Sequence, residues 1–525
     1  MIVRKPFRAA LAAALLLLAP FRPAHAAATG MLVAIGGGPE QPELIKQVLG
    51  RATGTASHVA IVDVASGEPA KSGPAYVRFF QGLGVNNVVV VPLQNRAQAY
   101  SDGAIAAIQD ADLIYFTGGN QIKLVQAIAG TPAQGALLAA WQRGAVIAGT
   151  SAGAMVWGPR YLVAGESQPL LRGQGGLELR EGLDLTPRVL IDPEFDREDR
   201  LGRLMVATSR VPGVLGLGVD ERTAAVVSDD GIRVLGSGQV TVLDFSHAHD
   251  VSTAGPFDAR DIAMHLLGAG DVLPFQRDDA DRRPMLAQQP ALDPLTPFLA
   301  LQGDVDPHAA LLAGRSGRVP DEVLILAGDG ADKLAAGWRK SLMADGTPTV
   351  RVLTATQLVG DTLQRYLATA SGVLMVDDAG HSLTTALAGE QGQVLRGQAS
   401  HLSMAMAGPA VALPGETSVG LGTGDVLQGL RLAPHVIAQP NIWSKGALDR
   451  LVIDALLADG SLGIGLSPDN GVRVEGGTVT AAGASPVLVV DTSKVSMANP
   501  TVPTARDLVV DSLAPGDHLP LKPAQ

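Results

Sequence analysis

A serine stands between two glycines in Gly149-Thr150-Ser151-Ala152-Gly153, at the end of the apolar run "AVIA". A hydroxyl becomes a nucleophile when a sharp turn exposes it and small neighbours let backbone and substrate approach, and G-x-S-x-G after a strand supplies both. The next N–H groups along the chain, at the expected start of a helix, are placed to stabilise an oxyanion. Such a serine needs a proton acceptor. The local histidines are His247 and His249, just past the run "VTVLDF"; with Asp250 the H-x-H pair could hold a metal, but it reads better as exposed loop residues after a strand. Gly36-Gly37-Gly38 after "MLVAI" lacks the spacing of a nucleotide-binding loop and reads as a tight strand-end turn.

The elements that must position this chemistry alternate along the chain. "MLVAIGGG", "HVAIVDVAS", "NNVVVVPL", "ADLIYFTGG" and "GAVIAGTS" read as buried strands, separated by helical stretches such as "PELIKQVLG" and "NQIKLVQAIAG". Strands apolar on both faces and separated by helices predict a mostly parallel sheet covered on both sides, a three-layer α/β sandwich with its site at the carboxyl ends of the strands. The pattern then recurs. "GLDLTPRVLIDPEF" from Gly182 matches "GLRLAPHVIAQPNI" from Gly429, and the same offset places "GLGV" at Gly216 on "GIGL" at Gly463 and Asp244 on Asp491. One offset across separated landmarks indicates a tandem duplication.

Composition narrows the class. A net charge of -11 argues against a grip on nucleic acid or on anionic lipid. There is no cysteine, which excludes disulfides and thiolate chemistry. Arg4, Lys5 and Arg8, the apolar run Ala9–Ala19 and the site Ala24-His25-Ala26 read as a signal peptide, so the expected mature protein is exported to the periplasm or beyond and carries no membrane span. The expected organisation is a signal over 1–26, a catalytic domain over 27–272, a linker over 273–295, a degenerate copy over 296–500 and a Pro-rich tail, loop or disorder, over 501–525.

"FTGGNQ", "AGTSAGA", "IDPEFDREDRLGRL" and "GLGVDERTA", in this order, resemble the cyanophycinase and dipeptidase E family of serine peptidases. That resemblance implies a class I glutamine amidotransferase-like fold, duplicated here, and hydrolysis of aspartyl or β-aspartyl peptide bonds without a metal or other cofactor. It implies Ser151 as nucleophile, Glu221 as acidic triad member, Gly119 and Ala152 as oxyanion hole, and Gln121, Asp192, Arg200 and Arg203 as pocket residues. The partner is then a peptide rich in aspartate or β-aspartyl-arginine. This chain departs from the family at the base: where cyanophycinases read a pattern like "DQHF" it reads "DPEF", which puts Glu194 in the place of the histidine and Pro193 in that of a pocket glutamine.

Three readings of the base stand. The domain has decayed to an inactive, extracytoplasmic peptide-binding or structural module; or Glu194 is the base, as in sedolisin-type peptidases of another fold, raised by burial or by a carboxylate neighbour such as Glu221 or Asp192; or a histidine arrives from elsewhere. In the second copy, aligning Gly158-Pro159 with Gly408-Pro409 sets His401 opposite Ser151, Asn441 opposite Glu194 and Pro468 opposite Glu221. That copy reads as non-catalytic, packed on the first as an intramolecular pseudo-dimer.

Overall fold

The computed structural model describes residues 30–275, apart from 198, and 298–520, apart from stretches within 302–320, 379–380, 414–435, 445, 458–461, 476–477 and 493–503. The expected signal, 1–26, and most of the expected linker, from 276 on, lie outside the described residues.

The five apolar runs become β1 (Leu32–Ile35), β2 (His58–Val62), β3 (Asn87–Val90), β4 (Leu113–Phe116) and β5 (Val146–Thr150). The helices between them include α1 (Pro42–Leu49), α2 (Pro69–Gly82), α3 (Asp102–Gln109), α4 (Gln121–Ile128) and α5 (Pro132–Gln142). Alternate residues of β1 face different cores, Leu32 and Ala34 one, Val33 and Ile35 the other, which is why the strand is apolar throughout. A hairpin of β6 (Arg160–Ala164) and β7 (Glu178–Glu181) comes next, then β8 (Val189–Pro193), α6 (Ser167–Leu171) lying before it and α7 (Leu201–Ser209) after it. The first half closes with β9 (Leu215–Val219), β10 (Thr223–Ser228), β11 (Gly231–Gly236), β12 (Val240–Asp244), β13 (His249–Ser252), β14 (Asp258–Leu267) and β15 (Val272–Pro274). The main sheet runs β15-β11-β10-β1-β5-β4-β2-β3, parallel from β1 to β3 and antiparallel at the other end.

The second half builds β16 (Phe298–Leu301), β17 (Glu322–Ala327), β18 (Thr349–Thr354), β19 (Gly372–Val376), β20 (Ser403–Ala407), β21 (Thr417–Val419) and β22 (Val426–Gln428). It continues with β23 (Val436–Gln439), β24 (Leu462–Gly465), β25 (Asn470–Glu475), β26 (Thr478–Gly483), β27 (Val487–Asp491), β28 (Ala505–Leu513) and β29 (His518–Pro520). Its sheet order, β18-β17-β19-β20-β16-β25-β26-β29, repeats that of the first sheet strand for strand. The shared sequence offset survives as register: Thr223 faces Gly236 in one sheet, and Asn470 faces Gly483 in the other.

Two features depart from the sequence-based expectation. From "VLIDP" onward the strands of each half divide between two sheets. β10, β11 and β15 join the main sheet antiparallel, as β25, β26 and β29 do in the second half, while the others form a separate sheet, β23-β24-β27-β28-β14-β12-β9-β8, to which each half contributes four strands, with β13 hydrogen-bonded to β14. At its centre β14 pairs antiparallel with β28, Met264 against Leu508 and Ile262 against Val510, so one apolar core crosses the junction. The second departure is the expected tail over 501–525, which is corrected here. Proline content suggested loop, but "ARDLVVDSL" is β28, at the centre of the shared sheet, and His518–Pro520 is β29. Burial of Leu508, Val510 and Leu513 outweighs the prolines around them.

Candidate active site

β5 is buried along its length and leads directly into Ser151, whose φ of 50° lies in the left-handed region and turns the chain sharply. The flanking glycines are required by close approach: a Cβ on Gly149 would stand 2.5 Å from the Gly153 carbonyl oxygen, and one on Gly153 would stand 2.7 Å from the carbonyl oxygens of Phe116 and Thr117. The serine opens a single 3₁₀ turn, Ser151–Gly153, rather than the expected helix. The Thr117–Asn120 turn borders the nucleophile, with the Cβ position of Gly118 3.5 Å from the Ser151 Cβ.

The partner of Ser151 comes from the other sheet. β8 ends on Pro193, and Glu194 comes next with φ 53°, its N–H donating to the Gly36 carbonyl at 2.7 Å. This turn brings the side chain to the serine: Ser151 Oγ donates to Glu194 Oε1 at 2.9 Å. The two residues are 43 positions apart in sequence. A guanidinium nitrogen of Arg200 lies 3.6 Å from Glu194 Oε2, so the charged neighbour of this carboxylate is a cation rather than the carboxylate expected from sequence. Glu221 sits on the adjoining turn. Its carboxylate pairs with Arg197 at 3.2 Å and its N–H donates to Asp196 at 2.8 Å. The structure therefore brings Ser151 and Glu194 together and gives Glu221 to an arginine.

The Gly36–Gly38 turn, read from sequence only as a strand end, ties these parts together. Its carbonyls accept from Glu194 and, at Gly37, from the N–H of Arg222 at 3.0 Å. Beside it, Ser151, Glu194, Gly37, Thr117, Ser72 and Tyr76 line a cleft of about 300 Å³ with Glu40. Glu40 was missed by sequence reasoning; in "GPEQPEL" it has the signature of nothing more than an acidic residue ahead of a helix.

Three of the pocket residues implied by the resemblance, Asp192, Arg200 and Arg203, are joined to one another. The Asp192 side chain has no exposed surface, so it cannot meet substrate. Both its oxygens are held by Arg203, through Nε at 2.7 Å and through Nη2, and Arg200 reaches it at 3.3 Å while donating to the Pro193 carbonyl at 2.6 Å. The three residues form a buried charge cluster beneath Glu194 that holds its turn, because separating them would leave uncompensated buried charge. Gln121, at the start of α4, donates to the Leu162 carbonyl at 3.2 Å. His249 lies on exposed β13, its ring nitrogens 2.9 and 3.0 Å from Asp250 and Asp261, and the Asp250 hydrogen bond, with Asp261, raises its pKa. Its ring is thus committed to that sheet and takes no part in the Ser151–Glu194 contact.

The second half preserves the backbone of this site without its chemistry. Sheet register equates Gly408, not His401, with Ser151: Ala34 pairs with Gly149 and Ala224 with Ile35 in one half, as Ala300 pairs with Met406 and Gly471 with Leu301 in the other. Gly408 stands directly after β20 with φ 62°, and Asn441, opposite Glu194, keeps φ 51°. The two Gly-Pro dipeptides are not equivalent: Gly158-Pro159 lies beyond the 3₁₀ turn Ser151–Gly153, whereas Gly408-Pro409 opens the 3₁₀ turn Gly408–Ala412 itself.

The family model described as "Peptidase family S51" matches residues 32–235. A cyanophycinase of Trichormus variabilis is 32% identical over 260 residues, which cover 48% of this chain and 87% of that protein. One of Geminocystis herdmanii is 32% identical over 250 residues, 46% of this chain and 92% of that protein, and one of Synechococcus elongatus is 32% identical over 258 residues, 47% and 80%. The matched family segment contains the serine turn, the Glu194 turn and Glu221.

Proposed function

Because the chain belongs to peptidase family S51, we propose that it hydrolyses aspartyl or β-aspartyl peptide bonds, those of cyanophycin included, with Ser151 as nucleophile and Glu194 in the place of the usual histidine base. The observation that carries this reading is the 2.9 Å hydrogen bond from Ser151 Oγ to Glu194 Oε1. A base must be within hydrogen-bond reach of the proton it takes, and here it is. Ser151 Oγ attacks the scissile carbonyl carbon and its proton passes to Glu194; the oxyanion is received by the N–H groups of Gly119 and Ala152. Collapse expels the amine, which takes the proton back from Glu194 and leaves an ester on Ser151. Water, deprotonated by the same carboxylate, then attacks the ester carbon, and as the C–Oγ bond breaks Glu194 returns that proton to Ser151 Oγ and the acid product leaves. Asp192, Arg200 and Arg203 hold the base in position rather than touching substrate, and Glu221, paired with Arg197, stands behind Gly38 of the turn.

The second half serves this site as a built-in partner. The strand that delivers Glu194 belongs to the sheet both halves share, and the β14–β28 pairing supports a pseudo-dimer.

The test is release of β-aspartyl-arginine from cyanophycin, and of aspartate from aspartyl dipeptides, across about pH 4 to 8, the range of reference carboxylate and imidazole titrations. Turnover should persist below about pH 6, where an imidazole base would be protonated. It should fall by about 10⁴ or more in Ser151→Ala, and by about 10² to 10⁴ in Glu194→Gln, the usual contribution of a general base. Full activity in Glu194→Gln would remove the carboxylate from the mechanism, and no turnover at any pH would leave a peptide-binding module.

A further inference from the structure

The cleft beside Ser151 contains a second carboxylate that the hydrolytic steps do not use. Glu40 lies two residues beyond the Gly36–Gly38 turn, just ahead of α1, and lines the same cleft as Ser151 and Glu194. Two tyrosines from different elements converge on it. Tyr76 of α2 donates to Oε1 at 2.5 Å, and Tyr115 of β4 donates to Oε1 at 3.2 Å and approaches Oε2 at 3.3 Å. The tyrosine rings pack 5.2 Å apart, and Tyr115 packs on Phe80, so both donors are fixed in place. A carboxylate has about four acceptor positions and two hydroxyls leave some of them open.

Keeping an acid here has a cost. Burial pushes the Glu40 carboxyl above its ordinary value, the tyrosine hydrogen bonds opposing only part of that shift. No basic side chain among the described cleft residues balances it; the charged groups of the lining are Glu40 and Glu194. Asp192, by contrast, is buried with two arginines on it. A half-buried acid held by neutral donors, without a countercharge and beside a nucleophile, is the arrangement of a site whose cation arrives with the ligand.

We propose that Glu40 is the anionic subsite of the cleft, binding a cationic group of the substrate, a guanidinium or an ammonium, next to the scissile bond. This rests on the reading of Ser151 as the nucleophile of a peptide-hydrolysing cleft. Glu40 is then a specificity residue: it selects among peptides and takes no proton in the reaction. Peptides with a second carboxylate directed to this end of the cleft are rejected by like charge.

The experiment is calorimetric binding to the full chain carrying Ser151→Ala, so that nothing is turned over. Three probes are used: β-aspartyl-arginine, its citrulline analogue, and its N-acetyl derivative. Adding Glu40→Gln should weaken β-aspartyl-arginine about 10- to 100-fold, the usual effect of removing one charge-assisted partner, and leave the neutral analogue for that end unchanged. If the citrulline analogue is the probe insensitive to Glu40, the guanidinium is the bound group; if the N-acetyl derivative is, the ammonium is. Equal weakening of all three probes, or of none, overturns the proposal. Should Glu40→Gln fail to fold by its melting curve, Tyr76→Phe, which removes the shortest donor to the carboxylate, must show the same selectivity on a smaller scale, about 3- to 10-fold. Absence of turnover in the parent chain would defeat the Ser151–Glu194 mechanism alone, because the binding ratios judge Glu40 independently.

Discussion

Gly37→Ala tests the geometry of the serine–glutamate pair with one methyl group. A Cβ on Gly37 would stand 3.2 Å from both Cγ and Oε1 of Glu194 and 3.4 Å from Cβ of Ser151. Carbon atoms pack best at about 3.5 to 4.0 Å, so the methyl must displace the Glu194 side chain by roughly 0.3 to 0.8 Å. Gly37 also has φ 101°, and holding alanine in such a conformation costs on the order of 1 to 3 kcal/mol. Displacement on this scale spoils a hydrogen bond that must carry a proton, and a misplacement of about 1 Å can lower a rate about 10²-fold. The expected result is a fall in kcat/KM of about 10- to 100-fold. The control is Gly38→Ala: its φ is 80°, so the backbone cost is similar, but its Cβ would lie 3.1 Å from Cδ of Glu221. That carboxylate pairs with Arg197, a side chain 59% exposed, and can give way with it. The two variants are compared by initial rates on an aspartyl dipeptide and by thermal melting. Similar melting with a larger rate loss in Gly37→Ala supports the pairing; equal rates in the two variants would refute the claim that Glu194 position limits the reaction.

Two further predictions concern the junction of the halves. Truncation after Phe275 removes β28 and bares the long edge of β14, whose Ile262, Met264 and Leu266 are buried in the whole chain. An unpaired strand of this kind recruits a partner. The fragment should dimerise or aggregate in light scattering, and a monomer melting at the same temperature as the full chain would discount the pseudo-dimer. Asp511 of β28 accepts from the Asp261 N–H at 2.9 Å, and burial pushes its carboxyl up to about 6, from an ordinary 3.8. A folded-state value above the unfolded one means that the folded chain holds the proton more tightly. This contribution is therefore present below about pH 4 and is lost as pH rises through about 6, by at most roughly 3 kcal/mol. Asp511→Asn should raise stability at pH 7 relative to pH 4.5 in denaturant titrations; an unchanged pH difference would contradict this.

The alternation of apolar strands and helices, the serine turn and the repeated offset were all legible in the sequence, since each depends on spacing within a short segment. Glu194 was named from sequence as well, but only through the resemblance. Glu40 left no signal, because nothing local distinguishes an acid that ends in a cleft from one ahead of a solvated helix. The second serine turn was misplaced through a matching Gly-Pro dipeptide, and only strand register identified Gly408. Proline-rich composition likewise concealed β28, whose burial depends on β14, about 250 residues earlier.

By itself, the sequence determined that this is a duplicated α/β protein with a sharp serine turn after a buried strand. Hydrophobic period, turn residues and residue identity are local properties, and they survive without knowledge of the fold. The tertiary structure decided that the Glu194 carboxylate meets the serine, that Asp192 and its arginines lie beneath the cleft rather than in it, and that the halves share one sheet. Those outcomes depend on strand register and on which buried faces find each other across hundreds of residues, and no local pattern encodes them.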